Sequence, residues 1–163
     1  PTLNVVEKLG FDDFAVIEIS SFQLETLSGL RPHIAVITNI TPDHLNRHYN
    51  MENYVFLKSK LVRGLRESEF AVLNYDDERV RAMASNTRAK VVWFSAKHRV
   101  DGAYADGGEV YYAGHKLFSF GDMAVGGEHN LCNVLAAVAV GGILKKLRFS
   151  TTFAAWGKLL LLI

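Results

Sequence analysis

The chain has 163 residues, about half of them apolar and a fifth charged, with a formal net charge of +1. That is the length of one ordinary domain with enough apolar residues for a real core, which excludes a disordered composition. A charge near zero without any basic block excludes the electrostatic footprint of a nucleic-acid binder.

The single cysteine, Cys132, cannot form an internal disulfide, and the expected compartment is the cytoplasm. The longest uncharged apolar stretch, Val134 to Leu144, is too short and too interrupted by glycine to be a membrane span. No signal peptide precedes the first apolar run. The chain starts at Pro1 without an initiator methionine and stops in the apolar run Leu159 to Ile163, so it reads as a piece of a longer protein.

In chain order, the first apolar run is Phe14 to Ile19, read as a strand. Ile34 to Asn39, Phe70 to Asn74 and Lys90 to Phe94 follow as further strands. These runs are nearly continuous rather than alternating, as expected for parallel strands covered on both faces. Segments of helical period lie between them, so the fold class is α/β, a mostly parallel sheet flanked by helices. Glu109 to Ala113 and Lys116 to Phe118 flank Gly114-His115 and predict a hairpin, a small antiparallel β appendage. The helix from about His129 to Lys146 is apolar all round and is expected to be buried.

Ligands of open parallel sheets sit beyond the carboxyl ends of the strands. Glu18 lies near the end of the first run and is followed by Ser20, Ser21 and Gln23; the second run leads into Thr41-Pro42-Asp43-His44. If the two strands are neighbours, Glu18, Asp43 and His44 converge, a set that suits a divalent cation with phosphate oxygens. The same residues are also compatible with an ordinary strand-end charge and a loop histidine.

Downstream, Met51, Tyr54, Val55, Leu61, Val62 and Leu65 mark a helical stripe on which Lys58 falls and Lys60 does not. Lys58 is therefore expected to point inward, although on the residues alone a lysine that snorkels to solvent is the stronger reading. Asn130 and Asn133 share a face at the start of the last helix and could meet a nucleobase edge; capping accounts for Asn130 but not for Asn133. Asp76-Asp77 reads as the N-cap and first turn of a helix rather than as a metal pair. His33, His48, His98 and His115 have no partner evident in the sequence, and no Ser-His-Asp or Cys-His arrangement has local support.

Four segments together resemble the Mur ligases. Glu18-Ile19-Ser20-Ser21-Phe22-Gln23-Leu24-Glu25 is similar to the first motif in the D-glutamate-adding branch of that family. Asn39-Ile40-Thr41-Pro42-Asp43-His44-Leu45-Asn46-Arg47-His48 resembles the family's N-x-x-x-D-H-L-D motif. Glu52 to Lys58 resembles the segment that ends in a carbamylated lysine, and Gly127-Glu128-His129-Asn130-Leu131-Cys132-Asn133 resembles the motif at the nucleotide. Order and approximate spacing agree over residues 1–148, the span expected to form part of a central ATP-binding domain of P-loop type; 149–163 is expected to be a divergent or truncated end.

The resemblance implies an ATP-dependent amide-bond ligase. Its substrates would be UDP-N-acetylmuramoyl-L-alanine, D-glutamate and ATP, and its setting peptidoglycan precursor synthesis. It implies that Glu18 holds one Mg2+ near the phosphates and that His44 and a carbamylated Lys58 serve a second. Asp43, His44 and Lys58 would form the catalytic set, and His129, Asn130 and Asn133 would lie near the adenosine. Ser20, Gln23, Thr41 and His44 would face the UDP-muramoyl substrate. It also implies a monomer whose N- and C-terminal domains lie outside this chain. Carbamylation would turn the inward amine of Lys58 into a carboxylate-like group and remove the difficulty of a buried cation.

The sequence departs from the family in three places. No G-x-x-x-x-G-K-[ST] loop occurs, Asn46 stands where the family usually has aspartate, and the likeness fades after Arg148. The chain alone is therefore expected to be inactive. The other readings are a different ligase of the superfamily such as a folylpolyglutamate synthase, a non-catalytic nucleotide- or sugar-binding module, and a metallohydrolase.

Overall fold

The structure, a computed structural model, describes residues 14–42, 45–123 and 127–144, with only the backbone of Leu45, Asn46, Glu128 and His129. Its elements are helix α1 (Ser21–Thr26), strand β1 (Ile34–Ile37), helix α2 (Leu45–His48), helix α3 (Met51–Arg63), strand β2 (Phe70–Asn74) and helix α4 (Glu78–Ala82), which tightens into a 3-10 turn at Met83–Asn86. Strands β3 (Lys90–Ser95), β4 (Gly102–Asp106), β5 (Glu109–Tyr112) and β6 (His115–Ser119) follow, then a 3-10 turn at Phe120–Asp122 and helix α5 (Glu128–Ile143).

The strands form one sheet in the order β1-β2-β3-β4-β5-β6. β1, β2, β3 and β4 run parallel, while β5 is antiparallel to β4 and to β6. The parallel register aligns Ala35 with Ala71 and Val91, and Ile37 with Leu73 and Trp93. Successive side chains of a strand face opposite ways. Ala35, Ile37, Ala71 and Leu73 therefore meet Leu24, Tyr54, Leu61, Val62 and Val80 from α1, α3 and α4 on one face. Val36, Val72, Phe94, Ala103 and Val110 meet Leu135, Val138 and Ala139 of α5 on the other. The result is a three-layer α/β/α arrangement, as the continuous apolar runs predicted.

The first apolar run departs from its expected structure. The run Phe14 to Ile19 is not a strand: the sheet starts at β1, and residues 14–20 join no ladder among the described residues. An extended apolar run becomes a strand only when a neighbour takes up its N–H and C=O groups. Without one, Phe14, Val16 and Ile17 remain exposed and only Ile19 enters the core. The antiparallel strands form the expected small appendage, at one edge of the sheet, and join the parallel strands through β4. A short loop suffices for the parallel β3–β4 step because only Trp93 to Ser95 pair with Gly102 to Tyr104. The hairpin turn is Ala113-Gly114, both with positive φ, and His115 begins β6.

Local chemistry explains the helix limits. Asn50 caps α3 by accepting the Asn53 N–H at 2.8 Å, Glu52 lies in the first turn, and Lys60 and Arg63 lie in the last. Just before this cap Tyr49 adopts φ +67 although it is 87% exposed. An aromatic residue in the left-handed region is strained, and so exposed a side chain gains little from packing. Tyr49→Gly is therefore expected to stabilise the protein by about 1 kcal/mol, read as a raised urea midpoint. On α5 no side chain from Leu131 to Leu144 is exposed, in line with its apolar composition.

Among the described residues, no helix is long and apolar enough to cross a membrane.

Candidate active site

The loops that follow β1, β2 and β3 meet at the carboxyl edge of the sheet and are cross-linked by side chains. Asp77 caps α4, as the sequence predicted: its Oδ1 accepts the N–H groups of Arg79 at 2.9 Å and Val80 at 3.0 Å. Its other oxygen accepts the Ile40 N–H at 2.7 Å and so ties the loop after β1 to the start of α4. Asp76 is not in the first turn of the helix. It precedes the cap and accepts the Ser95 hydroxyl at 2.5 Å and the Ala96 N–H at 2.7 Å. Asn74 donates to the Thr38 carbonyl at 2.7 Å.

These acceptors serve the protein's own N–H and O–H groups, so the adjacent aspartates act as braces of the rim. Asp77→Ala removes a cap and a cross-loop bond together. It is expected to cost about 2–3 kcal/mol, measured as a lowered denaturation midpoint, whereas Asp77→Asn should cost less.

Of the residues singled out in the sequence, Glu18 is exposed and lies in the irregular segment that leads into α1. Ser20 is the N-cap of α1, and Ser20 and Gln23 form a capping box. The Gln23 N–H donates to Ser20 Oγ at 3.3 Å, and the Ser20 N–H donates to Gln23 Oε1 at 2.8 Å. Thr41 is exposed on the loop after β1. Asp43 and His44 lie outside the described residues. So does the side chain of His129, whose backbone is in the first turn of α5. Asn130 is exposed and Asn133 half-buried on that helix, on the opposite side of the sheet from α1.

Lys58 points inward, the direction its place on the apolar stripe gave, and does not snorkel to solvent, the reading that the residues alone favoured. It is 8% exposed, and its Nζ lies 5.1 Å from the centre of the Tyr54 ring. Lys60 turns the other way along α1 and donates to the Leu24 carbonyl at 2.7 Å and to the Glu25 carbonyl at 3.4 Å. This places a cation on the last carbonyls of a helix, where the macrodipole favours it. Thus α1, which is capped by Ser20, is pinned to the helix that carries Lys58.

His48, which has no evident partner in the sequence, is the residue that sequence reasoning missed. It is 3% exposed, and its Nε2 lies 3.0 Å from Ser21 Oγ. Its Nδ1 lies 3.5 Å from Glu25 Oε1, and its ring stacks between Phe22 and Tyr54. The i, i+4 pair Ser21 and Glu25, on one face of a helix, was the available signal. An open cleft of about 610 Å³ lies beside it, lined in part by Glu25, Arg47, Tyr49 and Phe56.

Among the described residues no group of three or more histidine, cysteine, aspartate or glutamate side chains could hold a metal ion. As an ammonium group Lys58 repels a cation. It fits a metal site only in a form that presents oxygen.

A mostly parallel sheet under helices on both faces, with its loops braced at the carboxyl edge, defines an open α/β domain, a class whose ligands sit beyond the carboxyl ends of the strands. Residues 4–141 match the Mur ligase middle domain, and the chain belongs to that family. It is 41% identical over 146 residues to a UDP-N-acetylmuramoylalanine–D-glutamate ligase of Koribacter versatilis (strain Ellin345), which covers 86% of this chain and 32% of the relative. It is 44% identical over 141 residues to the ligase of the same name from Caldanaerobacter subterraneus subsp. tengcongensis, with 86% and 31% covered. The chain thus spans about a third of the length of the curated relatives it matches.

Among solved structures, a UDP-N-acetylmuramoyl-L-alanyl-D-glutamate–2,6-diaminopimelate ligase superposes with a TM-score of 0.64 at 25% identity, covering 86% of this chain and 31% of that one. A UDP-N-acetylmuramate:L-alanyl-gamma-D-glutamyl-meso-diaminopimelate ligase from Neisseria meningitides superposes with a TM-score of 0.58 at 20% identity, covering 78% and 40%, and shares the fold.

Proposed function

We propose that this chain is the central, ATP-binding part of a D-glutamate-adding Mur ligase, the MurD branch, which works in the cytoplasm on a peptidoglycan precursor for the cell wall. The observation that carries the reading is the identity of 38% to 44% with D-glutamate ligases over 86% of the chain. The inward Lys58 on its stripe supports it independently.

In this reading ATP transfers its γ-phosphoryl group to the carboxylate of UDP-N-acetylmuramoyl-L-alanine, giving an acyl phosphate and ADP. The amine of D-glutamate attacks the acyl carbon, and the amide forms as phosphate leaves. Mg2+, when bound, neutralises charge on the phosphoryl oxygens and aligns them.

Glu18, His44 and Lys58 would hold the metals. Lys58 would do so after its neutral amine adds CO2, which forms an N–C bond, releases a proton and converts a buried cation into an oxygen donor. Asp43 would support His44. Ser20, Gln23 and Thr41 would face the UDP-muramoyl substrate, and His129, Asn130 and Asn133 the adenosine, where side-chain amides can pair with a base edge. The protein acts as a monomer, residues 1–148 belong to the central domain, and the isolated chain is inactive because it holds no Gly-Lys-Thr phosphate loop.

The deciding experiment is a ligation assay of the full-length protein with ATP, UDP-N-acetylmuramoyl-L-alanine and a panel of amino acids. The expected result is turnover with D-glutamate alone. Turnover with a different amino acid would move the protein to another branch, and no coupling at all would leave a nucleotide- or sugar-binding module.

A further inference from the structure

Five side chains form a continuous column between α1 and α3. The Arg47 guanidinium lies 5.2 Å from the Phe22 ring centre, Phe22 stacks on His48 at 5.2 Å and 22°, and His48 stacks on Tyr54 at 5.2 Å and 25°. The Lys58 amine closes the column 5.1 Å from Tyr54. The outer end is tied back to α1, since Arg47 donates to Glu25 Oε2 at 3.1 Å.

The central ring is the only member held by polar contacts at both nitrogens as well as by stacking. The Glu25 carboxylate lies 3.5 Å from Nδ1, and the Ser21 hydroxyl shares a hydrogen bond with Nε2 at 3.0 Å. Ser21 is itself 5% exposed and directly follows Ser20. An imidazole bonded to Ser21 and buried between two rings sets both the distance and the rotation of the helices it joins.

We propose that His48 is a positioning residue: it sets where α1, with Ser20 and Gln23 at its start, sits relative to Lys58. The inference rests on the ligase reading above. His48 need not touch the substrate. It acts through Ser21 on the segment that faces the UDP-muramoyl substrate and through Tyr54 on the buried lysine. The two asparagines assigned to the adenosine lie on α5, across the sheet, so His48 should bear on one substrate and not on the other.

The test is steady-state kinetics of the full-length protein. His48→Phe keeps a ring in the stack but strands the buried Ser21 hydroxyl. The loss of one such bond predicts a KM for UDP-N-acetylmuramoyl-L-alanine raised about tenfold, with the KM for ATP within about twofold of wild type. His48→Gln, whose amide can again bond the Ser21 hydroxyl, should restore much of the loss. Adding Ser21→Ala to His48→Phe should cost little more than His48→Phe alone, because both changes break one bond.

A purely structural histidine would lower the folded fraction and leave both KM values unchanged; that result would overturn the inference, as would equal rises in both. If His48→Phe does not fold, Ser21→Ala reads out the same contact alone. A wild-type protein that couples no D-glutamate would overturn the ligase reading and this inference together. A working wild type with an unmoved KM in the variants would overturn this inference only.

Discussion

Lys58→Met in the full-length protein is expected to lower ligation by about 100- to 1,000-fold, the effect of removing one electrostatic group from a reaction centre, while the protein stays folded. The side chain is 8% exposed in a helix whose neighbouring positions form the core, and methionine fills nearly the same volume. Replacing a buried charge by an apolar group of similar size is commonly neutral or stabilising. Against this stands the loss of the amine's contact with the Tyr54 ring, worth about 0.5–2 kcal/mol. The two effects nearly offset each other, so the thermal midpoint should shift by no more than about 4 °C.

A lysine kept only for structure would give the opposite pattern, with turnover near wild type for whatever fraction remains folded. Mass spectrometry of the intact wild-type protein, electrosprayed from a buffer rich in bicarbonate, tests the chemistry separately. A carbamate on Lys58 adds the mass of CO2 that Lys58→Met must lack. Turnover of Lys58→Met within a few fold of wild type would refute the assigned role.

Gly102→Ala should be strongly destabilising. Gly102 opens β4 with φ +150, and a Cβ built there would lie 2.0 Å from the Trp93 carbonyl oxygen and 2.9 Å from its carbon. The obstacle is backbone of the adjacent strand, which no rotamer change can clear. Gly102 is paired with Trp93, the first of the three positions at which β4, the strand that carries the antiparallel half of the sheet, pairs with β3. Relief of the clash therefore requires β4 to draw away from β3, with β5 and β6 following.

The cost is expected to reach about 3–5 kcal/mol, a large share of the 5–15 kcal/mol by which a typical domain is stable. Urea denaturation of the full-length protein followed by tryptophan fluorescence would read it. Gly121→Ala is the control, since a Cβ there meets nothing within 4 Å, and it should move the midpoint little. Equal midpoints for the two variants would show that the β3–β4 junction tolerates a side chain.

The sequence by itself determined the layered α/β class, the strands β1, β2 and β3, the cap at Asp77 and the place of Lys58 on an apolar stripe. In each case the signal is local: a nearly continuous apolar run, an acidic residue before a helix, a lysine in register with an apolar stripe. Four motifs in order also carried the family, because their spacing is a property of the chain.

Only the tertiary structure decided which apolar runs find a ladder. Phe14 to Ile19 has the composition of a strand, but strand formation depends on a neighbour that no local pattern encodes. The junction at Gly102 and the merging of the hairpin into the sheet are likewise pairings between distant residues. The same is true of His48. Its surroundings come from positions 21, 22, 25 and 54, which meet only when α1 packs on α3. A histidine's partners depend on that packing, so its role became visible only once the helices were in place.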